Sequence, residues 1–174
     1  LNDNFSDASF GAPKRVLSLL DRSGTAPFAW NASARDLSSQ VRNSIEQTMQ
    51  SDDPANEEQV QQIVSFLKTL KTPPPIDKVR GKYDAAAVER GRLVFEKRQC
   101  AKCHAPPLYT TPKIYDVGLK DELDHHRFNP PTLRGIGYRS SFFHDSRAKQ
   151  LPEVFSTHGH QVQEPLGKKE LQDL

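Results

Sequence analysis

At 174 residues, 35% of them apolar and 26% charged, the chain has room for one ordinary domain or two small ones, which excludes a large multidomain enzyme. The 24 Lys and Arg against 22 Asp and Glu leave a net +2, so charge makes no case for a nucleic-acid or anionic-membrane partner. With a mean hydropathy of -0.71 and 13 prolines the protein core is thin, and a large apolar cofactor would complete it. No stretch approaches the roughly 18–20 apolar residues of a membrane span. The opening LNDNFSDASF has neither the basic nor the apolar region of a signal peptide, so the expectation is a mature chain or a piece of a longer one.

Along the chain, residues 57–70 carry Val60, Ile63, Val64, Phe66, Leu67 and Leu70 at helical spacing, with Asp53-Pro54 as the start signal. Pro73-Pro74-Pro75 cannot continue a helix and divides the chain near residue 75. Asp84 then caps a predicted helix over 85–98, whose inward face would carry Val88, Gly91, Leu93 or Val94, and Phe95. Turn residues dominate 105–131, which reads as loop, with KDELDHHR over 120–127 a solvated segment.

Both cysteines fall in Cys100-Ala101-Lys102-Cys103-His104. A thioredoxin-like pair should begin a helix after a strand, whereas here a helix leads into the motif. Zinc needs two further ligands, and His125, His126, His144, His158 and His160 follow at irregular spacings. A disulfide would close a very small loop and leave the adjacent His unexplained. Covalent attachment of one haem c accounts for all three residues: Cys100 and Cys103 form thioethers and His104 is the proximal iron ligand.

The two halves repeat each other. At an offset of 114, Leu19 pairs with Leu133, Phe28 with Phe142, Trp30 with His144, Asn31 with Asp145, Ala34 with Ala148 and Leu37 with Leu151. At an offset of 111, Val60-Gln61-Gln62-Ile63 pairs with Leu171-Gln172-Asp173-Leu174. Each copy reads as loop, short helix, loop and final helix. The second copy has a leading helix and a CxxCH that the first lacks, and its last helix has no partner for residues 64–70. The domain expectation is therefore 1–75 as the tail of a preceding cytochrome-like unit and 76–174 as a c-type haem domain truncated in its last helix. Docking of the 57–70 helix on the 85–98 helix, giving one complete cytochrome core, is the alternative.

Three segments, AAAVERGRLVFEKRQCAKCH, YDVG at 115–118 and FNPPTLRGIGYRSSFFHDSRAKQLPEVF at 128–155, resemble the bacterial dihaem cytochrome c peroxidase and MauG family. The likeness covers about residues 80–174, with Ser146 where the family has Gly; residues 1–70 look like the tail of the preceding domain in related multihaem proteins. The resemblance implies an extracytoplasmic, periplasmic location and, in many members, a second haem at which peroxide reacts. With one CxxCH, this chain alone cannot hold that two-haem relay.

The sixth iron ligand is read from the repeat. Met49, the single methionine, is equivalent to His160 at an offset of 111, so Met49 would serve an upstream haem and His160 the haem on His104; His158 and Met49 are the alternatives. Two His ligands would set a lower potential than His and Met. His144 reads as a residue that holds the loop, and His125 and His126 as solvated. Arg134 is the first choice for the haem carboxylates, ahead of Arg139 and Arg147, because guanidinium matches carboxylate bidentately. Gly91 and Phe95 would serve packing at the haem edge.

The expected fold is mostly α, with class I-like cytochrome c helices and long loops packed around a covalent haem. The expected function is electron transfer with a redox partner protein or a second haem domain of a longer chain, without nucleic acid or a membrane span. The alternative is a haem-dependent peroxidase or MauG-like oxidase, which needs an open sixth position; no catalytic residue is identified.

Overall fold

The helices begin where side chains satisfy their first amides. In the computed structural model, which describes residues 14–174, Asp36 accepts from the Ser39 amide at the start of α1 (Leu37–Asn43), and a π-helical turn, Ser44–Thr48, continues it. Residues 1–13, which include the opening LNDNFSDASF, lie outside the described residues. The second helix, α2 (Glu57–Thr69), starts at Asn56 rather than at Asp53-Pro54: Asn56 accepts from the Gln59 amide while the Gln59 side chain accepts from the Asn56 amide. A reciprocal box satisfies two orphan amides, which the Asp-Pro pair three residues earlier cannot do.

The three prolines follow as an extended link to the single turn α3 (Ile76–Val79). Asp84 caps α4 (Ala85–Lys97) through the Ala86 and Ala87 amides, as expected. Loop dominates from 105 to 131, broken by an antiparallel two-residue ladder of β1 (Tyr115–Asp116) and β2 (Arg127–Phe128). Two short helices close the chain, α5 (Leu151–Ser156) and α6 (Lys168–Asp173). The regular structure is thus mostly helical, compatible with a cytochrome c-like fold. Among the described residues no helix is long and apolar enough to cross a membrane.

The sequence repeat is present in the backbone. Isolated bridges join Phe28 to Ala34 and Phe142 to Ala148, and the left-handed residues Ala29 and Ala32 recur at Phe143 and Ser146, all at an offset of 114. Farther on the offset is 111: Gln50 and Gln161 are both left-handed, and α2 and α6 start at 57 and 168. The apolar core is correspondingly split. Val41, Ala55, Val60 and Val64 form one cluster between α1 and α2, and Phe142, Ala148 and Val154 form the other.

The last helix of each unit meets a different neighbour: α2 packs on α1, whereas α4 packs on α6. The alternative docking of the 57–70 helix on the 85–98 helix is therefore not adopted. At the α4–α6 crossing the helices approach backbone to backbone. A Cβ on Gly91 would collide with the Asp173 carbonyl oxygen, so only glycine allows this distance. Ion pairs hold the crossing on both sides, Arg90 with Asp173 at 2.9 Å and Lys97 with Glu170 at 2.8 Å, with Arg98 also on Glu170. Gly91 and Val94 are the buried positions of α4, so of the pair Leu93 or Val94 it is Val94 that faces inward; Val88, expected inside, is half exposed because the short α6 covers only the Gly91 stripe.

Adding a methyl at Gly91 overpacks this crossing. Gly91→Ala should cost about 1–3 kcal/mol in urea unfolding, whereas Gly137→Ala, which meets nothing within 4 Å, should stay within about 0.5 kcal/mol. Equal midpoints for the two variants would contradict the close approach. Glu170 gives the crossing a pH dependence: hydrogen bonds from Arg98, Lys97 and the Gly167 amide hold its carboxyl down at about 2, from 4.5. Between those values the unfolded chain binds more protons, so the stabilisation is full above about pH 4.5 and is lost as pH falls towards 2. Glu170→Gln should lower stability at pH 7 and flatten the acid limb of a stability-against-pH curve; an unchanged limb would remove Glu170 from the account.

Candidate functional site

The end of α4 delivers the Cys-x-x-Cys-His segment to the centre of the second unit. Gln99 turns the chain through the left-handed region, Cys100–Lys102 form one 3-10 turn, and the His104 amide donates to the Cys100 carbonyl at 2.9 Å. Both thiols are half-buried and unbonded to each other, and burial pushes both above the ordinary thiol range. They are thus protonated thiols at neutral pH, unlike the depressed thiols of disulfide exchange.

His104 lies with Nδ1 3.2 Å from the Tyr109 carbonyl oxygen. The tautomer that donates this bond leaves Nε2 with a free lone pair, the form that binds a metal. Burial first, and then the charges of His160 and Arg139, hold the His104 imidazole down at about 4, so it is neutral at pH 7. Phe95 of α4 meets the Tyr109 ring edge-on at 6.0 Å and braces the loop that supplies the carbonyl.

His160 faces the same region. Its Nδ1 is buried without a partner, its pKa is lowered by burial, and its ring meets Phe143 edge-on at 5.6 Å. An imidazole nitrogen left this way lacks an acid or a metal. His158 packs on Phe143 as well, at 5.3 Å, and is half-buried. Met49 stands on the first unit and is 72% exposed. His144 is buried, stacked on Phe128 at 4.6 Å and edge-on to Trp30 at 6.2 Å, which makes it a wedge between the two units. His125 and His126 are exposed beside Asp121 and Asp124. Among the described residues no three His, Cys, Asp or Glu side chains are grouped to hold a metal ion by themselves.

The arginines divide by their partners. Arg134 lies 3.8 Å from Asp21 and Arg147 lies 2.6 Å from Asp145, so each has a carboxylate. Arg139 donates instead to the Thr132 and Arg134 carbonyls, Arg22 to the Ser18 carbonyl at 3.0 Å, and Arg15 to the Phe143 carbonyl at 3.2 Å while lying over the Trp30 ring. Among the described residues no carboxylate pairs with these three. Burial pushes Arg22 and Arg139 down to about 10, with the charge of Arg15 adding to the lowering of Arg22 and the charges of Arg22 and Arg15 to that of Arg139. Arg15 and Arg139, with Ser140, Ser141 and Ser146, line an open cavity of about 530 Å³. Clustered cations withdrawn from water call for an anion. Cysteine thiols, imidazole nitrogens and unpaired guanidiniums in one region fit the three parts of a haem: its vinyl groups, its iron and its two propionates.

Arg15 and Arg22 were not legible as site residues. They come from the first unit, more than 110 positions before Arg139, and reach the site because the arm over 14–34 is hydrogen-bonded to the second unit: the Arg15 amide donates to His144 and the Asn129 amide to Trp30. No local spacing signals such a placement. Tyr109 and Phe143 act through a backbone carbonyl and a ring edge, which residue type alone does not announce.

No protein-family model and no curated protein match the sequence. Solved structures do match in fold. A MauG-like protein associated with microbial copper homeostasis aligns over 93% of this chain and 71% of its own, with a TM-score of 0.67 and 17% identity. Hydrazine synthase of Kuenenia stuttgartiensis aligns over 82% of this chain with a TM-score of 0.62 and 19% identity. This chain spans only 60% of that hydrazine synthase chain. At these identities the likeness is one of fold.

Proposed function

We propose that the chain is a periplasmic c-type cytochrome unit that transfers single electrons through one covalently bound haem. The observation that carries this reading is the pairing of His104 and His160. One is a neutral imidazole with a free nitrogen directly after two protonated thiols; the other has a buried, unpartnered nitrogen close enough to interact with it electrostatically. The fold shared with a MauG-like protein supports it, in line with the sequence resemblance. When bound, the haem supplies reversible one-electron chemistry at its iron.

The chain's own residues do the rest. Cys100 and Cys103 would anchor the macrocycle at the end of α4, and the Tyr109 carbonyl fixes the His104 ring. His160, set by Phe143, would be the second protein ligand to the iron, and with it in place no position would be left for peroxide or other small ligands. Arg139, Arg22 and Arg15 would neutralise the two carboxylates of the haem, and their buried positive charge would favour its reduced form. A closed sixth position favours electron transfer over the peroxidase reading, which needs an open one. The electron partner is a redox protein or another haem domain.

In the purified haem-loaded protein, His160→Ala should turn a low-spin ferric spectrum high-spin and let the reduced form bind carbon monoxide, while His158→Ala leaves both unchanged. The reverse pattern would transfer the ligand role to His158, and carbon monoxide binding by the parent protein would favour the peroxidase reading. Arg139→Gln should lower the midpoint potential by tens of millivolts, on the order of 1 kcal/mol for a lost buried charge near the centre, while Lys68→Gln, on the exposed face of α2, leaves it in place. An unshifted potential would mean that Arg139 does not sense the redox centre.

A further inference from the structure

The turn that closes with the Phe28–Ala34 bridge in the first unit is rebuilt with Phe142 and Ala148 in the second, and left-handed Ala32 recurs as left-handed Ser146. Around that shared turn the side chains differ. At an offset of 114, Thr25-Ala26-Pro27 of the first unit becomes Arg139-Ser140-Ser141, and Ala32 becomes Ser146. The turn forms without the serines, so its hydroxyls answer to something other than the fold. All four residues line the open cavity of about 530 Å³ together with Arg15 and Lys149, and no Asp or Glu lines it. Ser146 is buried, and its hydroxyl shares one hydrogen with that of Ser141 at 2.9 Å, which leaves one O–H of the pair to donate elsewhere. Lys149 stands where the first unit has Arg35, but Asp36, the carboxylate on which Arg35 rests, is replaced by Gln150. Glu153 accepts from the Lys149 and Gln150 amides, and among the described residues no carboxylate pairs with the Lys149 ammonium.

We propose that this cavity binds a tetrahedral oxyanion of the phosphate class, held by Lys149, the Ser141 and Ser146 hydroxyls and the guanidinium charge that a haem leaves over, and that it binds the ferric state more tightly than the ferrous. Charge balance gives the reason. Arg15, Arg22 and Arg139 bring three positive charges to the region, and the two haem carboxylates would match two of them. A ferric haem between two neutral imidazoles adds one positive charge, which reduction removes. The surplus is therefore larger in the oxidised state, and an anion beside it is held more tightly there. Shape selects the class of anion. A guanidinium fork meets two oxygens of one ion while a serine O–H and an ammonium take the others, which a tetrahedral oxyanion offers and a halide does not. The redox link rests on the haem function proposed above; the anion site itself rests on the cavity.

The test uses the full haem-loaded chain at constant ionic strength, with inorganic phosphate exchanged against chloride. Titration calorimetry should show one saturable phosphate site, about tenfold tighter in the ferric than in the ferrous state, which lowers the midpoint potential by about 59 mV at saturating phosphate. Lys149→Gln and Ser146→Ala should each weaken phosphate binding about fivefold or more and leave the haem spectrum unchanged. Ser146→Ala alters no charge and keeps the residue that Ala32 shows the turn accepts, so its potential in chloride alone should stay in place. Glycerol phosphate reads the source of the ion: binding as tight as that of inorganic phosphate assigns the site to a phosphoryl group on a carrier, and weaker binding to the free ion. No saturable phosphate binding, equal affinity in the two redox states, or binding indifferent to both substitutions would overturn the proposal. A chain that holds its haem but binds no phosphate fails this inference alone; a chain that takes up no haem yet binds phosphate through Ser146 and Lys149 keeps the site and fails only the function proposed above.

Discussion

The second unit depends on one approach of two backbones. Gly91 lets the Asp173 carbonyl into the space a side chain would fill, and the ion pairs to Glu170 and Asp173 hold α4 and α6 in that position. Because α4 ends only a few residues before Cys100, its angle on α6 fixes where the thiols and His104 emerge. Loops elsewhere can follow. The arrangement is polar at its borders because the available apolar side chains are few, and close contact of main chains takes over part of the role that large core residues have in richer sequences.

Beside Phe143 of the second apolar cluster lies a centre of cations and imidazoles rather than hydrocarbon. Arg15, Arg22 and Arg139 repel one another there, and His104 and His160 are held neutral by burial. Such a centre is unfavourable for a protein that folds around nothing else. It becomes favourable around a flat apolar ring that carries two carboxylates and a metal with two open positions. The first unit is part of this centre, since its arm delivers two of the three arginines and Trp30 packs on His144. The units are joined through the site as well as through the proline link.

Elements with strong local signals were legible in the sequence. The spacing of Val60, Val64 and Leu67 gave α2 to within one residue of its end, and Asp84 gave the start of α4. The repeat was legible because turns as well as side chains recur: the left-handed residues at 29 and 143, 32 and 146, and 50 and 161 follow the two offsets read from residue types. What the sequence withheld was pairing at a distance. The choice of α6 over α2 as partner of α4 rests on a glycine meeting a carbonyl more than 80 positions away. Arg134 stood in the more specific motif, yet Asp21 sits beside it, and Arg139 holds the unpaired charge. Burial and counter-ions, which decide an arginine's role, are properties of the folded chain.

The central claim is that this polar centre is built for one covalent haem. The most direct measurement is the mass of the denatured chain, purified after expression with a haem-attachment system, combined with its haem absorbance after extraction in acidified organic solvent. The account predicts one haem per chain that stays with the protein, and none in the Cys100→Ala, Cys103→Ala double variant. A chain that folds with no haem, or whose haem passes entirely into the solvent, would contradict it.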